Sequence, residues 1–195
     1  MSPKRNDRSR RSSGPKKTYA VNTGRITMTQ QKKNDAGDIP SINRFRGEYR
    51  FLSNFYEAEF EYEGIIYPTS EHAYQERKTN DPETREWIRS AETAMECAIR
   101  GRSKRTKNVM RKDWFDIKGE VMHPIVREKF RQNPELARKL IETRDATLIE
   151  GNYWHDNYFG VCTCKKCHSS GQALNMLGNI LMNIRESMKE FTPEK

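Results

Sequence analysis

Residues 64–78, GIIYPTSEHAYQERK, constrain this chain more than any other stretch, because they read as a helix whose coherent face is polar. Tyr67-Pro68 makes an extended entry, since a residue before proline is pushed out of the helical region. Thr69 or Ser70 then offers a side-chain oxygen to the first free N–H groups, with a carboxylate following, so a helix is expected to begin at about residue 70. On it Glu71, Tyr74, Gln75 and Lys78 fall at i, i+3, i+4 and i+7, which places them on one face. An amphipathic helix usually shows its core with an apolar stripe. Here the stripe is a carboxylate, a phenol, an amide and an amine, which suits a polar pocket. A solvated face would use the same residue types, so the other motifs must separate the two.

Charge divides the chain. Residues 1–38 hold ten Lys or Arg against three Asp, which is +7 of the total +9. That segment is rich in Ser, Asn, Thr and Gly and has almost no branched or aromatic side chains to offset the entropy of ordering, so 1–38 is expected to be a disordered basic tail. Such an arm favours polyanions, chiefly nucleic acid, through counterion release, although a purely solubilising role fits the same composition. Residues 39–192 are left as one domain with a core of its own. No apolar leader and no run of about 18 apolar residues is present, so a soluble, cytoplasmic protein without a membrane span is expected.

Beyond the tail, residues 42–56 are aromatic-rich, with a short strand, a turn near Gly47 and a loop at Ser53-Asn54 expected. Ala58, Phe60 and Tyr62 alternate with Glu59, Glu61 and Glu63 before Gly64 and the returning Ile65, Ile66 and Tyr67, the pattern of a hairpin with one wet face. Helical signals then dominate. Asp81-Pro82 opens one helix; Ser90 is expected to cap the next, with Ala94, Met95, Ala98 and Ile99 inward and Gly101 at its end. Residues 114–132 form a longer helix, Asn133-Pro134 starts another, ATLIEG reads as a buried strand, and a last helix from about Gly171 to Glu190 turns Leu174, Leu177, Ile180, Leu181 and Ile184 inward. The fold class is therefore α+β, mainly helical, with a small β-hairpin element.

Two further stretches carry chemistry. GRSKRTKNVMRK sets six basic residues between two helices, either a solvated run or a clamp for a ligand phosphate. GNYWHDNYFG places Trp154 and Asp156 in a loop bounded by Gly and Asn, an aromatic able to stack on a base and a carboxylate able to work on a sugar. A tryptophan of this kind also serves as a core plug. Just after it, Cys162, Cys164, Cys167 and His168 are four soft donors in seven residues. They could close a zinc site, against which stand the missing second ligand pair and the adjacency of Cys167 and His168. Otherwise no cofactor is implied. Cys97, on an apolar helix face, is expected simply to be buried.

Taken in order, FLSNFYEAEFEYEGIIYPTSEHAYQERK, GRSKRTKNVMRKDW, GNYWHDNYFG and GQALNMLGNILMNIR resemble the NADAR domain, the YbiA-like family of N-glycosidases, over roughly residues 42–188. The resemblance implies a compact, mainly helical fold and cleavage of an N-glycosidic bond between ribose and a nitrogenous base. It implies one of two substrates: ADP-ribose on guanine in nucleic acid, or a phosphoribosylamino-pyrimidine intermediate of riboflavin synthesis. Carried over by motif, Glu71 matches the acidic residue of S-E-H, Trp114 the aromatic after the basic loop, and Trp154 and Asp156 the Y-W-x-D motif. The cysteine cluster departs from the shorter Gly-rich linker of many relatives.

The chemistry of such a bond assigns roles to these residues. Cleavage passes through an oxocarbenium-like sugar and needs a group to protonate the leaving base and one to stabilise the cation. Glu71 is the first candidate, Asp156 the second, and Lys78 offers a route through a Schiff base if its amine is kept neutral. Trp114 and Trp154 are expected to stack the base, Arg102 and Arg105 to hold phosphate, and Tyr74, Gln75 and Asn54 to orient the sugar. The basic tail favours ADP-ribosylated DNA or RNA over the small pyrimidine. A non-catalytic nucleotide or nucleic-acid binding module is the reading from another class, and convergence of Glu71 and Asp156 in one pocket would speak against it, because both repel phosphate.

Overall fold

The computed structural model describes residues 26–27, 40–168 and 172–189. The tail expected over 1–38 thus lies outside the described residues except for Ile26 and Thr27, and so does the side chain of His168. The architecture is mainly helical with few short strands, as expected.

The chain enters through β1 (Ile26–Thr27) and β2 (Ser41–Ile42) and makes one 3-10 helix at Gly47–Leu52, where the turn uses Gly47 at φ +57°. β3 (Phe60–Tyr62) and β4 (Ile65–Tyr67) then form the hairpin, antiparallel with Phe60 opposite Tyr67. Its alternation is realised: Ala58 and Phe60 are buried while Glu59 and Glu61 face solvent, and Glu63 and Gly64 both take positive φ at the turn. From the hairpin the chain passes directly into α1 (Ser70–Glu76), with Thr69 as N-cap accepting from the His72 amide at 3.3 Å.

Two helices that follow pack against α1, α2 (Pro82–Arg89), capped by Asp81, and α3 (Ala94–Arg102), while the short α4 (Lys104–Asn108), formed by the basic stretch, packs on α3. The cap of α3 is Thr93 rather than Ser90, whose hydroxyl donates instead to the Trp87 carbonyl. Met95 and Ile99 are about three-fifths exposed, contrary to expectation. The inward face of α3 is instead Ala94, Cys97, Ala98 and Gly101, which runs into the helix rather than ending it. Small residues let the two backbones approach: a Cβ on Gly101 would lie 1.9 Å from Gln75 Oε1.

α5 (Trp114–Gln132) supplies the centre of the apolar core through Met122, Ile125, Val126 and Phe130. α6 (Pro134–Glu142) adds Leu136 and Leu140, and α8 (Met176–Lys189) adds Leu177, Ile180, Leu181 and Ile184. The last helix begins at Met176, five residues later than its pattern predicts, because β8 (Gln172–Ala173) pairs antiparallel with β1. Between α6 and α8, β5 (Thr147–Leu148) runs parallel to β2, and β6 (Gly151–Asn152) runs parallel to β7 (Val161–Cys162), which is followed by α7 (Lys165–His168). Each parallel pair is only two residues long, so these pairings pin loops rather than build a sheet. No described helix is long and apolar enough to cross a membrane.

Lys129, fully buried in α5, fixes the segment that precedes the hairpin. Its ammonium donates to the carbonyls of Phe51 at 2.7 Å and Ser53 at 2.9 Å, beside Asn54. Replacing it by Met keeps the volume but leaves two carbonyls without a donor. Lys129→Met should lower unfolding free energy by about 2–4 kcal/mol in urea titrations; an unchanged midpoint would show that water satisfies both carbonyls.

Candidate active site

All seven residues of α1 are buried, and five of them carry a polar or ionisable group besides Tyr74. Each such group therefore needs a partner. Glu76 sits between Arg85 and Arg89 at 2.7 and 3.2 Å. His72 bridges Thr69 Oγ1 at 2.8 Å and the Ala91 carbonyl at 3.1 Å, and burial holds its pKa below the usual histidine value. Those residues anchor the helix. The Ser70 hydroxyl is buried without a hydrogen-bond partner among the described residues. Glu71, Tyr74, Gln75 and, just past the helix end, Lys78 belong to the stripe singled out in the sequence.

Glu71 is 5% exposed, and its backbone amide donates to the Asn54 carbonyl at 3.0 Å. Gln75 Nε2 donates to Glu71 Oε1 at 2.6 Å and so fixes the carboxylate. Burial raises the Glu71 pKa; the Gln75 hydrogen bond and the positive charges of Lys78 and Arg102 oppose the rise, and the charge of Asp156 adds to it. Lys78 responds in the opposite sense: desolvation depresses its ammonium to about 8 against the attraction of Glu71, with Arg102 and Lys118 pushing the same way as burial. Its Nζ donates to the Gly101 carbonyl at 3.2 Å and lies 5.8 Å from the centre of the Tyr74 ring. A carboxyl more basic and an amine more acidic than usual, seven residues apart and each within electrostatic reach of the other, are suited to proton transfer.

Tyr74 packs on Trp114 and Phe159 with ring centroids 5.0 and 5.3 Å apart. Trp114 is only 2% exposed, so it forms the floor beneath Tyr74. Trp154 is 56% exposed, with the similarly exposed Tyr153 beside it, and so is not a core plug. Asp156 is held by a tight turn: its Oδ1 accepts from the Tyr158 and Phe159 amides, both at 2.9 Å, while its own carbonyl and amide are bracketed by the Asn152 side chain. Arg102 is exposed yet close enough to act on Glu71, Tyr74 and Lys78. Arg105 is placed elsewhere, donating to Thr84 at 3.3 Å and stacking 4.8 Å above Trp87. The side chain of Asn54 contacts the Met122 sulfur at 3.4 Å, so Asn54 serves Glu71 through its backbone.

Two charged groups join this assembly that the sequence reading passed over. Lys118 reaches the ring of Tyr158 at 3.6 Å and feels the charge of Asp156. Its spacing from Trp114, i to i+4 on α5, was the available signal. Glu150, at the end of ATLIEG, has its pKa pushed up to about 7 by burial and then by Asp156 and Glu71, with Arg46 pulling it down. Its position at the carboxyl end of a strand, just before a glycine, is where loops present working groups. Among the described residues His155, Cys162, Cys164 and Cys167 also gather, and this group could hold a metal ion. The imidazole that joins the cysteines is thus that of His155, whereas the side chain of His168 lies outside what is described.

In class, this is a cluster of carboxylates and amines perturbed by burial, backed by aromatic rings and joined by the positive charge of Arg102 and Lys118. The chain belongs to the NADAR domain family, whose profile matches residues 43–189. It is 39% identical over 147 residues to riboflavin biosynthesis protein VVA0006 of Vibrio vulnificus, 73% of this chain but only 36% of that longer protein. It is 34% identical over 145 residues to N-glycosidase YbiA of Escherichia coli, covering 72% of this chain and 82% of the relative. The NMR structure of E. coli YbiA superposes with a TM-score of 0.69 at 31% identity, over 82% of this chain and 92% of that one.

The opposed shifts within the stripe can be measured directly. Lys78 should titrate near 8, well below a free lysine, in pH-dependent reductive methylation followed by peptide mapping. Because the Glu71 carboxylate holds the ammonium up, Glu71→Gln should move that midpoint lower still. A midpoint near the usual lysine value in both proteins would mean the amine is not desolvated.

Proposed function

We propose that this protein is an N-glycosidase that hydrolyses the bond between a ribose and a nitrogenous base. The observation that carries the reading is the pair formed by α1: Glu71, buried with its pKa raised, beside Lys78, whose ammonium is depressed to about 8. The similarity to N-glycosidase YbiA and to a 30% identical N-glycosidase from Nostoc punctiforme supports it. The mutual electrostatic influence of Glu71, Glu150 and Asp156 supports an enzyme over a module that only binds, since three neighbouring carboxylates gain nothing from a phosphate-bearing ligand.

Glu71 is the general acid. With its pKa raised by burial, it is suited to protonate the departing base nitrogen as the C1–N bond breaks, and as the carboxylate it then stabilises the cationic sugar. Asp156, fixed by two backbone amides, faces the same charge and orients the attacking water. Lys78 provides the alternative nucleophile: with a pKa of about 8, roughly one-tenth of it is neutral at pH 7. Its Nζ attacks C1 while the base leaves with the proton from Glu71, the sugar ring opens to a Schiff base, and water hydrolyses the adduct and frees the amine. Tyr74 and Gln75 position the sugar, Trp154 stacks on the base, and Arg102 with Lys118 meets phosphate.

For the substrate, exposed Trp154 and Tyr153 and the +7 carried by residues 1–38 favour ADP-ribose on guanine in DNA or RNA. The relative named for riboflavin biosynthesis favours a phosphoribosylamino-pyrimidine as the second reading. Both classes arise inside cells, so the reading carries a cytoplasmic location with it.

Mass spectrometry of products from ADP-ribosyl-guanine DNA and, separately, from the phosphoribosylamino-pyrimidine decides between them. Glu71→Gln should reduce turnover of the true substrate about 10³-fold with the fold intact; near-native turnover would remove Glu71 from the reaction. If the amine attacks, kcat/KM should climb as pH rises toward 8, where the amine loses its proton, and decline on the alkaline side once Glu71 gives up the proton that the departing base needs. Borohydride should then trap a sugar adduct on Lys78, and Lys78→Met should abolish both the trap and the climb. Loss of activity in Asp156→Asn without any adduct in the parent would assign the carboxylate route alone.

A further inference from the structure

The proposed chemistry makes no use of the cysteine-rich segment that follows the GNYWHD loop. Cys162 closes β7, Cys164 lies two residues on, and Cys167 is in α7, while the ring of His155 meets all three from the preceding loop. His155 Nδ1 is 3.2 Å from Cys167 Sγ, 3.4 Å from Cys164 Sγ and 4.0 Å from Cys162 Sγ, and the four donor atoms lie within 4.8 Å of one another. A tetrahedral zinc with bonds of about 2.3 Å to sulfur and about 2.0 Å to nitrogen sets nitrogen and sulfur roughly 3.6 Å apart. The three distances straddle that separation. One ring nitrogen can hydrogen-bond with one thiol, but that does not account for three sulfurs gathered around it.

Two details of the backbone agree. The Cys167 amide donates to Cys164 Sγ at 3.4 Å, which favours a sulfur carrying negative charge. His155 has φ +66°, a region that a residue with a Cβ adopts only where its surroundings over-determine it. A bond from its imidazole to a shared ion would be such a constraint. Placing the imidazole upstream of the cysteines also avoids ligation by the adjacent Cys167 and His168.

We propose that His155, Cys162, Cys164 and Cys167 form a closed zinc site that clasps the loop bearing Trp154 and Asp156. Four protein donors fill a tetrahedral shell and leave no position for water or substrate, so the ion is structural. His155 stands between Trp154 and the carboxylate, and Cys162 pairs through β7 with Asn152, which brackets the Asp156 backbone. The ion therefore ties together both ends of the loop that supplies Asp156. This goes beyond the glycosidase reading and stands on separate observations.

The test begins with metal content. The full chain, produced in zinc-supplemented medium and purified without chelator, should carry about one zinc per chain by inductively coupled plasma mass spectrometry. After removal of the ion, added cobalt(II) should give thiolate charge-transfer bands and the intense visible bands of a tetrahedral site. His155 is exposed, so His155→Asn leaves the core alone; with Cys164→Ser it should weaken zinc at least about 10-fold in competition with a chromophoric chelator, whereas His168→Asn should not. Hydrogen exchange of amides 152–159 should speed up when zinc is removed. Metal-free protein with reduced thiols, a disulfide among the cysteines, zinc retained in full by His155→Asn, or exchange indifferent to the metal would each overturn the proposal. None of these readouts depends on turnover, so their failure leaves the glycosidase reading standing.

Discussion

Burying a helix that is almost wholly polar is the constraint on which the rest of the structure depends. α1 sits inside the domain with every side chain buried, so the elements around it are arranged to meet polar groups before they bury apolar ones. α2 brings two arginines to Glu76, the turn before α3 brings a carbonyl to His72, and the turn after the 3-10 helix brings the Asn54 carbonyl to the first turn. Removing one partner would strand a charge away from water, which costs more than an ordinary cavity. The arrangement is therefore cooperative, and it leaves on one face of the helix a single internal hydrogen bond, from Gln75 to Glu71, with the Gln75 side-chain carbonyl oxygen buried and unpartnered among the described residues.

On that face the same desolvation acts on groups of opposite sign. Loss of water disfavours the carboxylate of Glu71 and the ammonium of Lys78 alike, drawing their proton affinities toward each other, while their mutual attraction resists the convergence. Asp156 and Glu150 arrive from the far end of the sequence and add negative charge; Arg102 and Lys118 arrive from α3 and α5 and add positive charge. The aromatic floor of Tyr74, Trp114 and Phe159 excludes water from one side, which keeps these influences strong. Burial here shifts the proton affinities of both groups.

Much of this was legible before any coordinates, where local chemistry decides the outcome. The Glu alternation of the hairpin, Asp81-Pro82 and the uninterrupted pattern of residues 114–132 each name their element because capping and periodicity depend on near neighbours. Glu71, Tyr74, Gln75 and Lys78 were visible for the same reason. What stayed hidden depended on who packs against whom. Met95 and Ile99 fit an apolar stripe better than Cys97 and Gly101, yet close approach to α1 selects the small residues and turns the large ones outward. Arg105 is taken by Trp87, and His155 joins the cysteines only because a left-handed residue in the loop brings its ring there.

The two-residue pairing of β2 with β5 gives the site a history as well as a place. Ile42 lies opposite Leu148, and Glu150 and Asp156 follow at once, so the groups that set the charge around Glu71 are made long after α1 on the ribosome. Until that late segment docks, the early helices hold a carboxylate and an amine without their electrostatic surroundings. Closing so long a loop for so few hydrogen bonds is entropically expensive and must be driven by the apolar packing of α8 on α5. A nascent chain therefore carries Glu71 and Lys78 well before the segment that completes their charge environment.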